Sequence, residues 1–132
     1  MATLFSRIVA GEIPCHRISE DEHHLAFLDI MPLVMGHVLV IPKKEVDYIF
    51  DLSAPELVAL WQFAQVVAKA VEKTVTCKRI GVAVIGLEVP HTHIHLVPLQ
   101  TVDDINFTKE KLHPSESSLA EMAALIRANL QG

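Results

Sequence analysis

Val89-Pro90-His91-Thr92-His93-Ile94-His95-Leu96-Val97-Pro98 sets three histidines at alternate positions of an otherwise apolar run. Alternation of period two is the pattern of a β-strand. It predicts a strand with His91, His93 and His95 on one face, flanked by Val89 and Val97. Thr92, Ile94 and Leu96 are expected on the other face, available for burial. At ~3.3 Å rise per residue, neighbouring imidazoles on the first face are rooted ~6.6 Å apart. Such a row can share one small anion or one metal ion. Imidazole titrates near neutral pH and serves as base, acid, nucleophile or ligand. Histidine tags are contiguous and terminal, and this run is neither.

Around that stretch lies a chain of 132 residues, which predicts one domain over 1–132 with one core. Hydrophobic residues make up 51% of it, too many for a disordered chain. No apolar run reaches the ~18 residues of a membrane span, so no membrane partner is expected. Met1-Ala2-Thr3-Leu4-Phe5-Ser6-Arg7 has no basic segment followed by a long apolar stretch, and no signal peptide is read there. Cys15 and Cys77 form no CxxC pair and are expected as free thiols in a cytoplasmic protein. The net charge of −5 argues against non-specific nucleic-acid binding, yet leaves room for a locally positive phosphate site.

The rest of the chain reads as three strands, a helix, two strands and a helix, after a short N-terminal helix over 3–9 capped by Thr3. The strands are expected at Cys15–Ser19, His24–Ile30, His37–Ile41, Arg79–Ile85 and the histidine run. Gly86-Leu87-Glu88 is expected to turn a hairpin between the last two. Ser53-Ala54-Pro55-Glu56 is a capping-box start for a long amphipathic helix running to about Val75, with Trp61 on its apolar face. Ser118-Leu119-Ala120-Glu121 suggests a second capping box, with Leu119, Met122, Ala123, Ile126 and Leu130 as the stripe of a final helix. Residues 100–109 read mainly as loop. The expected architecture is α+β: one five-stranded antiparallel sheet, a long packed helix and a C-terminal helix.

His91-Thr92-His93-Ile94-His95-Leu96-Val97 resembles the His-φ-His-φ-His-φ-φ signature (φ apolar) of the histidine triad (HIT) nucleotide hydrolases and transferases, with Thr92 at an apolar slot. The blocks 5–14, 25–30 and 36–44 are also similar to that family. The resemblance is strongest over 3–98, and the tail 99–132 carries no specific match. It implies a small-molecule nucleotide substrate, no cofactor, no resident metal and a homodimer. It makes His93 the nucleophile on an α-phosphate, with the His91 backbone carbonyl fixing its tautomer. His95 would donate to a phosphate oxygen, and His37 would orient or exchange protons. Asp29 would hold the ribose hydroxyls, while Phe27, Leu28, Ile30 and Ile18 would border the base.

Two departures from the family pattern stand out. Leu87 occupies the place of a usual Gln, and Gly81-Val82-Ala83-Val84-Ile85 lacks a usual Asn. Glu88 joins the nucleotide-binding candidates, where it would repel an anion or meet a cationic leaving group such as an amine. Three functions follow in order. The first is a hydrolase or nucleotidyltransferase working through a nucleotidyl-histidine. The second is a nucleotide-binding module with little turnover. The third is a histidine-cluster metal protein. His16, His23, His24 and His113 match no motif and are expected in solvent.

Overall fold

The computed structural model describes residues 2–130. Helix α1 (Leu4–Val9) precedes three strands, β1 (Arg17–Glu20), β2 (His24–Leu28) and β3 (Val38–Pro42). Helix α2 (Ala54–Thr74), strands β4 (Arg79–Ala83) and β5 (Ile94–Leu99), and helix α3 (Glu116–Ala128) follow. All strand pairs are antiparallel, in the order β1-β2-β3-β5-β4. This is the expected α+β fold with one five-stranded sheet.

Register fixes the two faces of the sheet. Ala26, Val40 and Ile94 stand in one row, and Leu28, Val38, Leu96 and Val82 in the next but one. Both rows face α2 and α3 and, except for Val82, belong to the larger core with Leu60, Ala64, Val67, Val71, Leu119 and Ile126. The intervening row, Phe27, Leu39, His95 and Ala83, points the other way. There Phe5 of α1 joins Leu25, Phe27, Leu39 and Ile41 in a second apolar cluster. The sheet therefore separates a helix-covered core from a face that carries imidazoles.

Local chemistry accounts for the element ends. Thr3 accepts the Ser6 amide at the start of α1, and Ser53 and Glu56 form the capping box of α2. The final helix starts earlier than its sequence suggests. Ser115 accepts the Ser118 amide, so Ser118 lies inside the first turn and is not the cap. The tail also contains a 3-10 turn, Val102–Ile105, where loop was expected.

The histidine run differs more. Only Ile94–Leu99 is strand, so His91 and His93 precede it. The Thr92 amide donates to Val46 O at 2.7 Å and the His91 amide to Val89 O at 2.8 Å, so neither enters a ladder. Residues 84–93 form a long connection in which Gly86 takes φ +73°, and the pair β4–β5 is antiparallel without a tight hairpin. Trp61 is 39% exposed, a correction to its expected core position, because α2 turns Leu60 and Ala64 to the sheet and leaves Trp61 on the flank. His24 is buried instead of solvated. It lies opposite Pro42 on the helix-covered face, stacks on Phe63 at 5.1 Å and bonds Asp21 through Nδ1 at 2.9 Å.

Candidate active site

The imidazoles come together on the α1 face, each with at least one ring nitrogen committed to a partner. His93 Nδ1 lies 2.6 Å from the His91 carbonyl. A carbonyl only accepts, so Nδ1 carries the proton, and in the neutral ring Nε2 keeps the lone pair. His91 is fixed from both sides. Its Nε2 donates to Pro42 O at 2.8 Å, and its Nδ1 faces the Thr3 hydroxyl at 3.0 Å. Thr3 thus caps α1 and anchors the histidine segment at once. The Ser6 hydroxyl and the Thr3 amide both donate to the Glu45 carboxylate, which ties α1 to the segment after β3.

His37 stands just before β3, at the end of the 31–36 connection. Gly36, at φ +95°, makes the turn into it, and a Cβ there would sit 2.8 Å from a Val75 methyl. The Leu33 amide donates to His37 Nδ1 at 3.0 Å. An amide only donates, so His37 holds its own proton on Nε2. That nitrogen lies 2.9 Å from His95 Nδ1 and donates to it. His95 must then carry its proton on Nε2. One backbone N–H therefore sets two tautomers and leaves His95 with a donor on its far nitrogen. Burial, reinforced by neighbouring positive charge, lowers His37 to about 3 and His95 to about 4, which keeps both rings neutral at pH 7. Burial likewise lowers His91.

Asp29 joins the group from the end of β2. Its Oδ1 accepts the Met31 amide at 2.9 Å, and its Oδ2 is 3.8 Å from His37 Nε2. Burial raises its carboxyl pKa, opposed by the Met31 amide and by the charges of Lys111 and His93. Asp29, His37 and His95 are close enough to hold a metal ion in principle. The Leu33 amide opposes that use: His37 Nε2 bears a proton and has no lone pair for a metal unless the connection rearranges.

Of the residues expected to border a base, Phe27 lies on the imidazole face, edge-on to Phe5 at 5.6 Å. Leu28 and Ile18 are corrections. Both belong to the core under α2 and α3, on the opposite face. Adjacent strand residues point apart, so Phe27 and Leu28 cannot line one pocket, and Ile18 sits in a bulge of β1 that turns it toward the helices. Ile30 is 60% exposed next to Asp29, and Glu88 is exposed on the 84–93 connection.

Sequence reasoning missed Phe5, whose ring meets His93 at 5.0 Å and His91 at 5.9 Å. It also missed Phe107 of the tail, edge-on to His95 at 4.7 Å. Phe5 sits in one of the blocks that resemble the family; nothing in the tail marks Phe107. A cleft of about 610 Å³ between α1, β1 and α3 contains none of the candidate residues.

In sequence and fold the chain is similar to known proteins. The model of the HIT domain matches residues 10–102. An uncharacterized HIT-like protein of Methanocaldococcus jannaschii is 39% identical over 105 residues, 72% of this chain and 77% of that one. The adenosine 5′-monophosphoramidase of Schizosaccharomyces pombe is 35% identical over 100 residues, 74% of each chain. A crystal structure of a HIT-like protein from Bartonella henselae superposes with a TM-score of 0.83 at 33% identity, covering 96% of this chain and 95% of that one.

Proposed function

Since the chain belongs to the HIT family, we propose that it is a nucleotide hydrolase or nucleotidyltransferase acting at the α-phosphate of a nucleoside 5′-phosphate derivative. The substrate class is a phosphoramidate or a dinucleoside polyphosphate. The observation that carries the reading is the paired tautomer assignment. His93 has its Nε2 lone pair free for attack, and His95 has an Nε2 proton to offer a phosphate oxygen. The phosphoramidase of fission yeast supports the reaction class.

In this mechanism His93 Nε2 attacks the α-phosphorus. A P–N bond forms while the bond to the leaving group breaks, and the leaving group departs with the electron pair and takes a proton. Water then adds to phosphorus and loses a proton, and the P–N electron pair returns to Nε2. The product is the nucleoside monophosphate. The His91 carbonyl stabilises the positive charge that develops on His93 through Nδ1–H, and His95 Nε2–H stabilises the equatorial oxygens. His91 acts through its carbonyl and its anchorage to Thr3 and Pro42. His37 acts by setting the His95 tautomer. Asp29 takes the ribose hydroxyls, with Phe27 and Ile30 toward the base. We further place the protein in the cytoplasm as a homodimer. Free Cys15 and Cys77 support the first, and the apolar flank of α2 and β4 supports the second.

Incubation with adenosine 5′-phosphoramidate and a quench in mild base should leave an adenylyl group on His93, read by peptide mass spectrometry. His93→Ala should lose both adduct and turnover and still fold, since the ring faces the site. A wild-type protein that binds AMP without forming an adduct would leave the binding-module reading. An adduct on another residue, or an active His93→Ala protein, would overturn the mechanism.

A further inference from the structure

The chain past β5 folds back over the imidazole face. Phe107 follows the 3-10 turn Val102–Ile105 and packs edge-on against His95 at 4.7 Å and His37 at 6.2 Å. Four residues on, Lys111 Nζ donates to the Phe107 carbonyl at 3.0 Å. The next amide, of Leu112, donates to Pro32 O at 2.9 Å. Pro32 lies in the connection between Asp29 and His37, so the segment 107–112 is pinned to both walls of the site. This holds the Lys111 ammonium half-buried beside the reacting groups. Its charge reaches Asp29, His37 and His95 alike, opposing the upward shift that burial gives Asp29 and adding to the downward shift that burial gives the two histidines. Among the described residues no carboxylate lies within 4.0 Å of it. The rings of His37 and His95 are neutral, and burial works against a charge on Asp29. A phosphate entering this space would meet the positive charge of Lys111 beside these rings.

We propose that Lys111 is a phosphate-binding residue of this site, and that the Phe107–Lys111 segment makes the site select a nucleoside 5′-phosphate over the neutral nucleoside. The segment lies beyond the stretch matched by the HIT domain, residues 10–102. Phe107 supplies the wall against His95 and His37, and its carbonyl holds the ammonium in place. The inference rests on the nucleotide reading above and adds the group that senses the substrate's charge. An ammonium held by a carbonyl and free of a carboxylate can exchange part of its solvation for phosphate oxygens without first breaking an ion pair.

Titration calorimetry with AMP and with adenosine tests it. Lys111→Met should weaken AMP by about ten- to a hundredfold, and leave adenosine within about twofold, because the Asp29 side of the site is untouched. Lys111→Arg should restore most of the AMP affinity, and its thermal melt should match the wild type. In turnover, the Met variant should raise KM more than it lowers kcat if the contact is already made in the ground state. Equal losses for AMP and adenosine would show that Lys111 only supports the fold of the site, and would overturn the proposal. So would an unchanged AMP affinity in Lys111→Met. If the wild type binds neither AMP nor adenosine, the nucleotide reading itself fails and this inference with it. Wild-type AMP binding that survives Lys111→Met would sink the inference alone.

Discussion

At the scale of single residues, the site is a set of backbone groups reading imidazoles. Leu33 N–H, Pro42 O and His91 O decide which nitrogen of His37, His91 and His93 carries the proton. A pH dependence of stability follows. In the unfolded chain His37 and His95 titrate near 6.5; in the fold burial holds them near 3 and 4. Between those limits the unfolded state binds more protons, so stability is complete above about pH 6.5 and falls as the pH drops toward about 3. Carboxylates with lowered values, such as Glu20 and Asp21, lose their contribution only below about pH 4.5. Urea denaturation between pH 7 and pH 5 isolates the histidine window. Wild type should lose stability across it, and His37→Gln should lose less. Equal slopes for the two would show that His37 is not kept neutral by the fold. The triad was legible because a strand that only packs has no need of an imidazole at every second position. Of its partners only the His91 carbonyl was expected, through the family resemblance; the Leu33 amide and the Pro42 carbonyl were not, since they become neighbours of a ring only after the 31–36 connection and β3 are in place. Ile18 and Leu28 were given to the base by the family resemblance alone; both lie in the helix-covered core, and strand alternation by itself sets Leu28 opposite to Phe27.

At the scale of elements, local chemistry was read well where a side chain marks the end. Thr3 and Ser53 cap the helices they announce, and Ser53 with Glu56 closes a reciprocal box. Ser53→Ala should cost about 1 kcal/mol in chemical denaturation, with nucleotide affinity unchanged, since α2 touches the sheet from the far side. A loss of binding in that variant would mean that α2 transmits to the imidazole face. Where polar residues repeat, the reading slipped. Ser115, Ser117 and Ser118 offer three capping hydroxyls, and Ser115 takes the role because the chain already turns there. Strand β5 came out shorter than its alternation because pairing needs a partner. Thr92 bonds instead to Val46 through both its amide and its hydroxyl, at 2.7 Å each.

At the scale of the whole molecule, one flank gathers exposed apolar side chains around a groove. Trp61 and Val58 of α2 stand beside Val82 of the edge strand β4, with Val84 and Ile85 following it, and all are exposed. An apolar groove of about 500 Å³ runs between helix and strand, lined by Leu57, Trp61, Ala64 and Val82 among others. An edge strand bordered by an apolar helix face suits a second copy of the same chain, which would cover both at once. Sedimentation equilibrium at micromolar concentration should give twice the 14.6 kDa chain mass. Trp61→Glu should shift the protein toward monomer. A monomeric wild type would remove the homodimer. The period-two and helical patterns forecast five strands and their helices, but exposure depends on how far α2 rotates over the sheet, which no single repeat encodes.

The strand order has a consequence in time. β5 inserts between β3 and β4, so the neighbours β3 and β5 are separated in sequence by all of α2 and β4. His37 and His95, in hydrogen-bond contact, stand 58 positions apart. During folding, helices and the β2–β3 hairpin can form from nearby residues, whereas the pairing of β3 with β5 must first close that long loop against chain entropy. The imidazole pair is therefore assembled by the most non-local strand pairing of the sheet. A partly folded chain can hold most of its helix and still lack the His37–His95 pair, so the imidazole site closes late, as a mark that the sheet is complete.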